Sequence, residues 1–520
     1  MEKEILYPLD TANFRNIREK GFVYVDKTGY IHEMTEKGTY YFLARPRRFG
    51  KSLFLDTLAE YFKGNRELFK GLEIDRLHPE KWEKHPVLRL NLSGKDYSDS
   101  KSLVTHITNQ LNKLGNEYGI ENSSREFEGR LDYLIQRITN ESGKKVVILI
   151  DEYDAPLSSS IDKPDLQEIY RGQLHAFYSV LKASEEYIQF CMLTGVTRYG
   201  KVSVFSGLNN LIDITFDNQY AGICGITSEE LHLYYDNGVK NLAQELNVIK
   251  EEIYEKLRFY YDGYHFSPSL LDIYNPFCIN YVFAKKEFKD YWCQSGVPTI
   301  LSKSLMQNDY DVQELNNSLV EESTLANLSL HTTNPLPLFY QTGYLTLKDY
   351  DSGEGLFTVG YPNREVEKGI LNNILTVYNP GNKGVASTIA RMKRSLREGK
   401  PEEFLKILSS FLADIPNQLH KFVDKYENYY HTIFYCITTL IGLDIEAEYS
   451  TSEGFIDMLI KTSDYIYIIE LKVNGTAEDA MKQIEEKHYE APFGSDSRKI
   501  FKIGIGFSSE THNIKSYLIE

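Results

Sequence analysis

Cysteine is scarce in this chain, five among 520 residues, and none of the five sits in a CxxC pair. Cys191, Cys224, Cys278, Cys293 and Cys436 form an odd, scattered set, which excludes a disulfide framework and a cysteine-built zinc site. They read as buried thiols. No apolar run is long enough to span a bilayer, and the opening MEKEILYPLD carries acids and a proline where a signal peptide needs a basic start and an apolar stretch. The expectation is a cytoplasmic protein with no membrane partner. Internal repeats and low-complexity tracts are absent too. Positive charge is in deficit: the formal net charge is -16. Nonspecific nucleic-acid binding is powered by phosphate neutralisation, so any such contact must be local. Its candidates are Arg45, Arg47 and Arg48, and the run Arg391, Lys393, Arg394, Arg397 and Lys400, which also reads as solvated helix surface.

What is present is an ordinary globular composition, 42% hydrophobic, 25% charged and 13% aromatic. The length exceeds one hydrophobic core, and three units are expected, over residues 1–225, 226–405 and 406–520. In the first, the apolar stretch Tyr40–Ala44 runs into Arg45-Pro46-Arg47-Arg48-Phe49-Gly50-Lys51-Ser52, followed from Leu53 to Phe62 by helical spacing. Strand, loop and helix in that order suit a phosphate loop. Backbone N–H groups at the helix start surround the phosphates, Lys51 meets the β/γ oxygens, and the Ser52 hydroxyl ligates Mg²⁺. The general motif has glycine where this chain has Arg45, so the loop is degenerate at its first turn.

Further on, Val146–Ile150 reads as a buried parallel strand ending in Asp151-Glu152-Tyr153-Asp154. Asp151 at a strand tip can hold Mg²⁺ through water, and Glu152 can orient and deprotonate the attacking water. Acids also cap helices after strands, the plainer role. A third strand, Ile188–Leu193, ends in Thr194-Gly195-Val196-Thr197-Arg198. Thr194 fits a polar sensor and Arg198 a charge-stabilising arginine, against turn-forming and surface roles for the same residues.

Together Asp26-Lys27-Thr28, the RPRRFGKS loop, DEYD, LTGVTR and SGLNN (Ser206 to Asn210) resemble the bacterial AAA-ATPase-like family found mostly in gut anaerobes, over roughly the first 225 residues. Its members usually carry Arg in place of the first glycine. The resemblance implies a P-loop NTPase core of the AAA-like class, an α/β fold, with ATP and Mg²⁺ held by Arg48, Phe49, Gly50, Lys51, Ser52, Leu53, Asp151, Thr194 and Arg198. It also implies a helical lid from Thr227-Ser228-Glu229-Glu230 onward, with Ser228 as N-cap, and assembly into an ATP-dependent homo-oligomer. Beyond the lid comes the turn-rich aromatic segment Tyr261-Asp262-Gly263-Tyr264-His265-Phe266. Leu338–Leu347 and Leu356–Val359, flanking Asp351-Ser352-Gly353, read as a β-hairpin. Helices around it suit a winged helix, which either grips DNA or packs between domains.

The last unit begins with a helical run from Glu427 to Ile441. Phe455–Ile460 and Tyr465–Val473 then form a hairpin about a turn at Lys461–Asp464. A symmetric turn places Asp457 opposite Ile468 and diagonal to Glu470 on one face, with Lys472 two residues along. Two carboxylates with the Leu471 carbonyl suit a hard cation, and Lys472 can position or activate water. A cross-strand salt bridge uses the same residues. A helix opened by Thr476 with Asp479 follows, and then a strand from Lys499 to Phe507.

This order resembles the PD-(D/E)XK nuclease superfamily, in an α/β restriction-endonuclease-like domain over roughly the last 110 residues. The resemblance implies that Asp457, Glu470 and Lys472 form the catalytic core with Mg²⁺ or Mn²⁺. Gln483 and Tyr489 match an accessory motif, and Glu427 with His431 a helix acid and histidine. Members usually have Gly-Arg where this chain has Gly454-Phe455. The expected function is ATP binding and hydrolysis coupled to a nuclease acting on DNA, or on RNA. The rival is a nucleotide-dependent switch or defence sensor whose nuclease-like domain only binds nucleic acid or a partner.

Overall fold

The computed structural model describes residues 5–80, 82–121, 127–199, 204–205, 208, 210–294, 299–308, 310–326, 328, 334–381, 384–415, 429–451, 454–511 and 513–520. Packing divides the chain into two compact units, one of Met1–Gly296 with Leu315–Glu367, the other of Val297–Glu314 with Lys368–Glu520. The segment expected over 226–405 is thus shared between them.

Unit 1 is built on a sheet of five parallel strands: β1 (Tyr40–Ala44), β2 (Val87–Asn91), β3 (Val146–Asp151), β4 (Ile188–Gly195) and the two-residue β5 (Ile212–Asp213). Their order is β2-β3-β4-β1-β5. β1 and β3 are buried at every position, the continuous apolar reading of a strand covered on both faces. Side chains alternate between those faces. Tyr40, Phe42, Ile148 and Ile150 enter the core formed with the helices Ser102–Glu117, Phe127–Ser142 and Pro164–Ala183. On the other face Tyr41 stacks on Phe190, which meets Phe62 of the helix Lys51–Phe62. The carboxyl ends of β1, β3 and β4 lie side by side, the crevice where open α/β sheets bind ligands.

The lid helix runs Ser228–Leu246, but its N-cap is Thr227, one residue before the expected Ser228. The Thr227 hydroxyl accepts from Glu230 N, and the Glu230 carboxylate accepts from Thr227 N, a complete capping box. Two short strands, β6 (Ile226–Thr227) and β7 (Ile273–Tyr274), pair antiparallel beside it. The expected hairpin exists as β9 (Thr346–Asp351) and β10 (Leu356–Gly360), joined by β8 (Ser318–Glu321) in the order β8-β10-β9. Its first arm is shorter than expected because Leu336–Gln341 is helical, with Pro337 in the first turn where its missing N–H costs nothing.

Unit 2 carries a mixed sheet, β11 (Asp444–Thr451), β12 (Gly454–Lys461), β13 (Tyr465–Val473), β14 (Lys499–Ser508) and β15 (Asn513–Ile519), in sequential order. Only β13 and β14 run parallel, and the crossover between them carries the helix Ala477–Glu486. Met481 and Ile484 of that helix pack on Ile456, Leu459, Ile466 and Ile468. The approach is close: a Cβ on Gly504 would lie 2.5 Å from Ala477 O, so only glycine fits there. The fold is α/β in both units. Among the described residues no helix is long and apolar enough to cross a membrane.

Candidate functional site

Two clusters of chemistry stand out, one in each unit. In unit 1 the loop after β1 turns through Arg48 (φ 72°) and Gly50 (φ 100°) into the helix Lys51–Phe62. No side chain caps that helix start, which leaves its first N–H groups for an anion. Lys51 is buried and donates to the carbonyls of Arg45 (2.8 Å) and Pro46 (2.9 Å), so its ammonium closes the loop on itself. Burial pushes the Lys51 ammonium below the usual lysine range, opposed by Cys224, Glu152, Asp151 and Asp154 nearby. The loop lysine and the strand-tip acids therefore converge.

Asp151 is fully buried at the end of β3. One carboxylate oxygen accepts from the Thr194 hydroxyl at 2.9 Å; the other, Oδ2, is buried without a hydrogen-bond partner. An orphaned anionic oxygen beside a phosphate loop fits a divalent cation or its bound water. Glu152 is half-buried in the left-handed region at φ 50°, its carboxyl pushed up first by burial and held down by Lys51. Thr194 orients Asp151 and sits on β4 opposite Leu43. Arg198 pairs with Asp213 at 2.7 Å, and its backbone N–H donates to Gln341. Asp154 accepts from the backbone N–H of Thr197 at 2.7 Å and from that residue's hydroxyl, holding the turn after β4.

Arg45 corrects an expectation. It is not available to nucleic acid: it is 1% exposed and donates to the carbonyls of Ala44 (2.9 Å), Thr215 (2.7 Å) and Tyr220 (3.3 Å), with Phe266 beneath its guanidinium. The residue that replaces the general motif's glycine ties the phosphate loop to the chain beyond β5. Arg47 and Arg48 stay exposed, Arg48 over the Phe277 ring. Arg391, Arg394, Arg397 and Lys400 are also exposed, the first three on the helix Val385–Arg397. Lys27 is buried and bonded to Gly222 O at 2.6 Å and to the Glu230 carboxylate at 2.6 and 2.7 Å. Only the partner, 203 residues away, reveals this role, and no local signal names it. Ser206, Gly207 and Asn209 lie outside the described residues.

In unit 2 the hairpin register is Met458↔Ile469 and Lys461↔Ile466. It differs by two residues from the symmetric-turn expectation, because the chain reverses tightly after Thr462, whose N–H donates to Tyr465 O. A shift of two keeps every side chain on its face. Continued, this register sets Asp457 level with Glu470 rather than diagonal to it. The Asp457 carboxylate is exposed and accepts from Leu471 N at 2.7 Å. Glu470 is 1% exposed; Oε1 meets Lys472 Nζ at 3.1 Å, while Oε2 is buried without a partner. Burial, then the Asp457 charge, pushes the Glu470 carboxyl up, and Lys472 opposes both.

Lys472 also donates to Gln483 Oε1, and Gln483 Nε2 donates to the Tyr489 hydroxyl at 3.2 Å, so the helix Ala477–Glu486 steadies the lysine. Two carboxylates at one level, one with an orphaned oxygen, beside the Leu471 carbonyl are a donor set that fits a hard cation. Phe455, which follows Gly454 at the start of β12, is exposed. Glu427 and the His431 side chain lie outside the described residues.

Residues 8–205 match the family model of a predicted AAA-ATPase, and residues 425–517 match that of the PD-(D/E)XK nuclease superfamily. A relative from Azotobacter chroococcum mcd 1, described as an uncharacterized protein in the vnfD 5' region, is 33% identical over 523 residues, spanning 99% of this chain and 98% of that one. Among solved structures the Aeropyrum pernix ORC2 protein in its ADPNP–ADP complexes aligns at 10% identity and a TM-score of 0.24, over 72% of this chain and 97% of its own. That likeness is too slight to carry an argument. The two matched models and the near full-length relative place the chain in the predicted AAA-ATPase family, with a PD-(D/E)XK nuclease superfamily domain over residues 425–517.

Proposed function

We propose that the chain binds and hydrolyses ATP in a domain over residues 1–225 and uses that cycle to control a divalent-metal-dependent phosphodiesterase, a nuclease acting on DNA, built on residues 406–520. The observation that carries the reading is that two of the buried carboxylate oxygens left without a hydrogen-bond partner, Asp151 Oδ2 in one unit and Glu470 Oε2 in the other, each lie beside a lysine. Buried unpaired anionic oxygens are costly, and a bound cation relieves that cost.

In the nucleotide site Lys51 exchanges the Arg45 and Pro46 carbonyls for phosphate oxygens, and the uncapped helix start receives the anion. Ser52 and Asp151 would hold Mg²⁺ there, and the ion would supply charge neutralisation for phosphoryl transfer. Glu152, its carboxyl raised by burial, takes the proton of the attacking water. Thr194 keeps Asp151 aimed, and Arg198 answers phosphate charge when its pairing with Asp213 opens. A hollow beside Gly50, lined by Tyr24, Leu53, Cys224 and Ile226, accepts the base.

In the nuclease site Asp457, Glu470 and the Leu471 carbonyl would hold Mg²⁺ or Mn²⁺, and the ion would supply Lewis acidity for phosphodiester hydrolysis there. Lys472, steadied by Gln483, positions that water. The exposed basic face of Val385–Arg397 supplies local charge for nucleic acid in this unit, and Arg47 and Arg48 supply it separately in the other, despite the acidic whole.

The test is a cleavage screen of purified chain on duplex, single-stranded and supercoiled DNA and on RNA, with Mg²⁺ or Mn²⁺, with and without ATP. Metal-dependent cleavage of DNA that changes with ATP is expected. Absence of cleavage on every substrate removes the nuclease and leaves the switch.

A further inference from the structure

The pair of helices ahead of β2 holds a cluster that neither site uses. His32 and Glu36 stand one turn apart on the helix Thr28–Lys37, so both point from one face. His78 closes the short helix Glu73–Leu77 opposite them. The ligating atoms of the three side chains all lie within 4.8 Å of one another. His32 Nδ1 and His78 Nε2 face each other at 2.6 Å, with the rings near perpendicular.

The surroundings are built. The other ring nitrogen of His78 meets the Tyr61 hydroxyl at 2.8 Å, the outer-shell bond that fixes the tautomer and aim of a metal-binding imidazole. Trp82 Nε1 donates to the His78 carbonyl at 2.8 Å. The two helices are pinned together where they start, Asp26 accepting from Glu73 N at 2.7 Å and Thr28 from Ile74 N at 3.1 Å. His78 is buried and Glu36 exposed, so the group has a closed side and a solvent side.

We propose that His32, Glu36 and His78 bind a first-row divalent cation, Zn²⁺ in the first instance, with water as the fourth ligand. Two imidazoles and one carboxylate are a set that suits zinc without any cysteine. For both nitrogens to ligate, the proton between them shifts to the non-ligating nitrogen of its own ring, both imidazoles staying neutral, and the rings part to about 3.3 Å, the separation that Zn–N bonds of about 2.0–2.1 Å at a tetrahedral centre require. The ion would fasten the helix Thr28–Lys37 to Tyr61, in the last turn of the phosphate-loop helix. Its role is a structural clamp, separate from the ATP and nuclease chemistry.

The test uses the full chain stripped with EDTA and then dialysed against micromolar Zn²⁺, with metal analysis. About one tight equivalent is expected in wild type and in Asp457→Asn, with affinity reduced about 100-fold or more in Glu36→Ala and in His32→Ala. Glu36 is exposed, so its replacement leaves the fold intact. Co²⁺ added to wild type reads the site without any mutation: intense tetrahedral d–d bands that Zn²⁺ bleaches are expected. Zn²⁺ affinity in Glu36→Ala equal to that of wild type, or Co²⁺ spectra without tetrahedral intensity, overturns the proposal.

Discussion

The two sites prepare for their ligands in opposite ways. The phosphate-loop lysine is tied up by its own chain: Lys51 is buried on two loop carbonyls, and Thr194 holds one oxygen of Asp151. The β12–β13 edge is already displayed, with Asp457 exposed, Lys472 half-exposed and Glu470 pushed up by its burial. Binding at the first requires an exchange of hydrogen bonds, whereas the second already presents its carboxylates to a cation. Occupancy of the loop should thus be set by nucleotide, and occupancy of the edge by metal and pH.

The largest effect that sharpens this contrast is expected from Glu152→Gln. ATP hydrolysis falls about 10²–10⁴-fold, the usual contribution of a general base, while bound ATP is retained. Turnover assays with filter binding check this, and unchanged hydrolysis breaks the assignment. Next, Lys27→Met leaves the Glu230 carboxylate without its buried partner and costs about 3–5 kcal/mol in denaturant unfolding. Lys51→Ala removes a charge-assisted contact to phosphate and weakens ATP about 10–100-fold, read by calorimetry.

Arg45→Gly restores the general phosphate-loop motif yet strands the carbonyls of Thr215 and Tyr220; thermal unfolding should show a loss of about 1–3 kcal/mol and no gain in ATP affinity.

The smallest effect concerns pH. Glu470 has a folded pKa above its ordinary 4.5, so its contribution to metal-free stability is present below the unfolded value and is lost as pH rises through the folded one. Glu470→Gln cannot ionise, so it should flatten that part of the stability–pH curve and melt higher than wild type at neutral pH without metal. Metal affinity runs the other way, rising with pH as Glu470 ionises.

Much of both sites was legible because the decisive residues lie at strand tips or on one face of a hairpin. β1, β3 and β4 announce themselves as apolar runs ending in Arg45, Asp151 and Thr194. The two-residue register difference at β12–β13 did no harm, since the pleat repeats every two residues and Asp457, Glu470 and Lys472 stay together. What was not legible depended on distant partners. Arg45 looked like a surface cation until the carbonyls of Thr215 and Tyr220 were placed around it. Lys27 and Glu230 are far apart in sequence, as are His32 and His78, and no local periodicity joins them. β5 has only two residues, too short for any pattern to mark.

The most direct test of the account is the rate of metal-dependent DNA cleavage by Lys472→Ala, measured on protein whose ATP binding matches wild type. The account predicts cleavage reduced about 10²-fold or more with nucleotide affinity unchanged. Cleavage at the wild-type rate would contradict it.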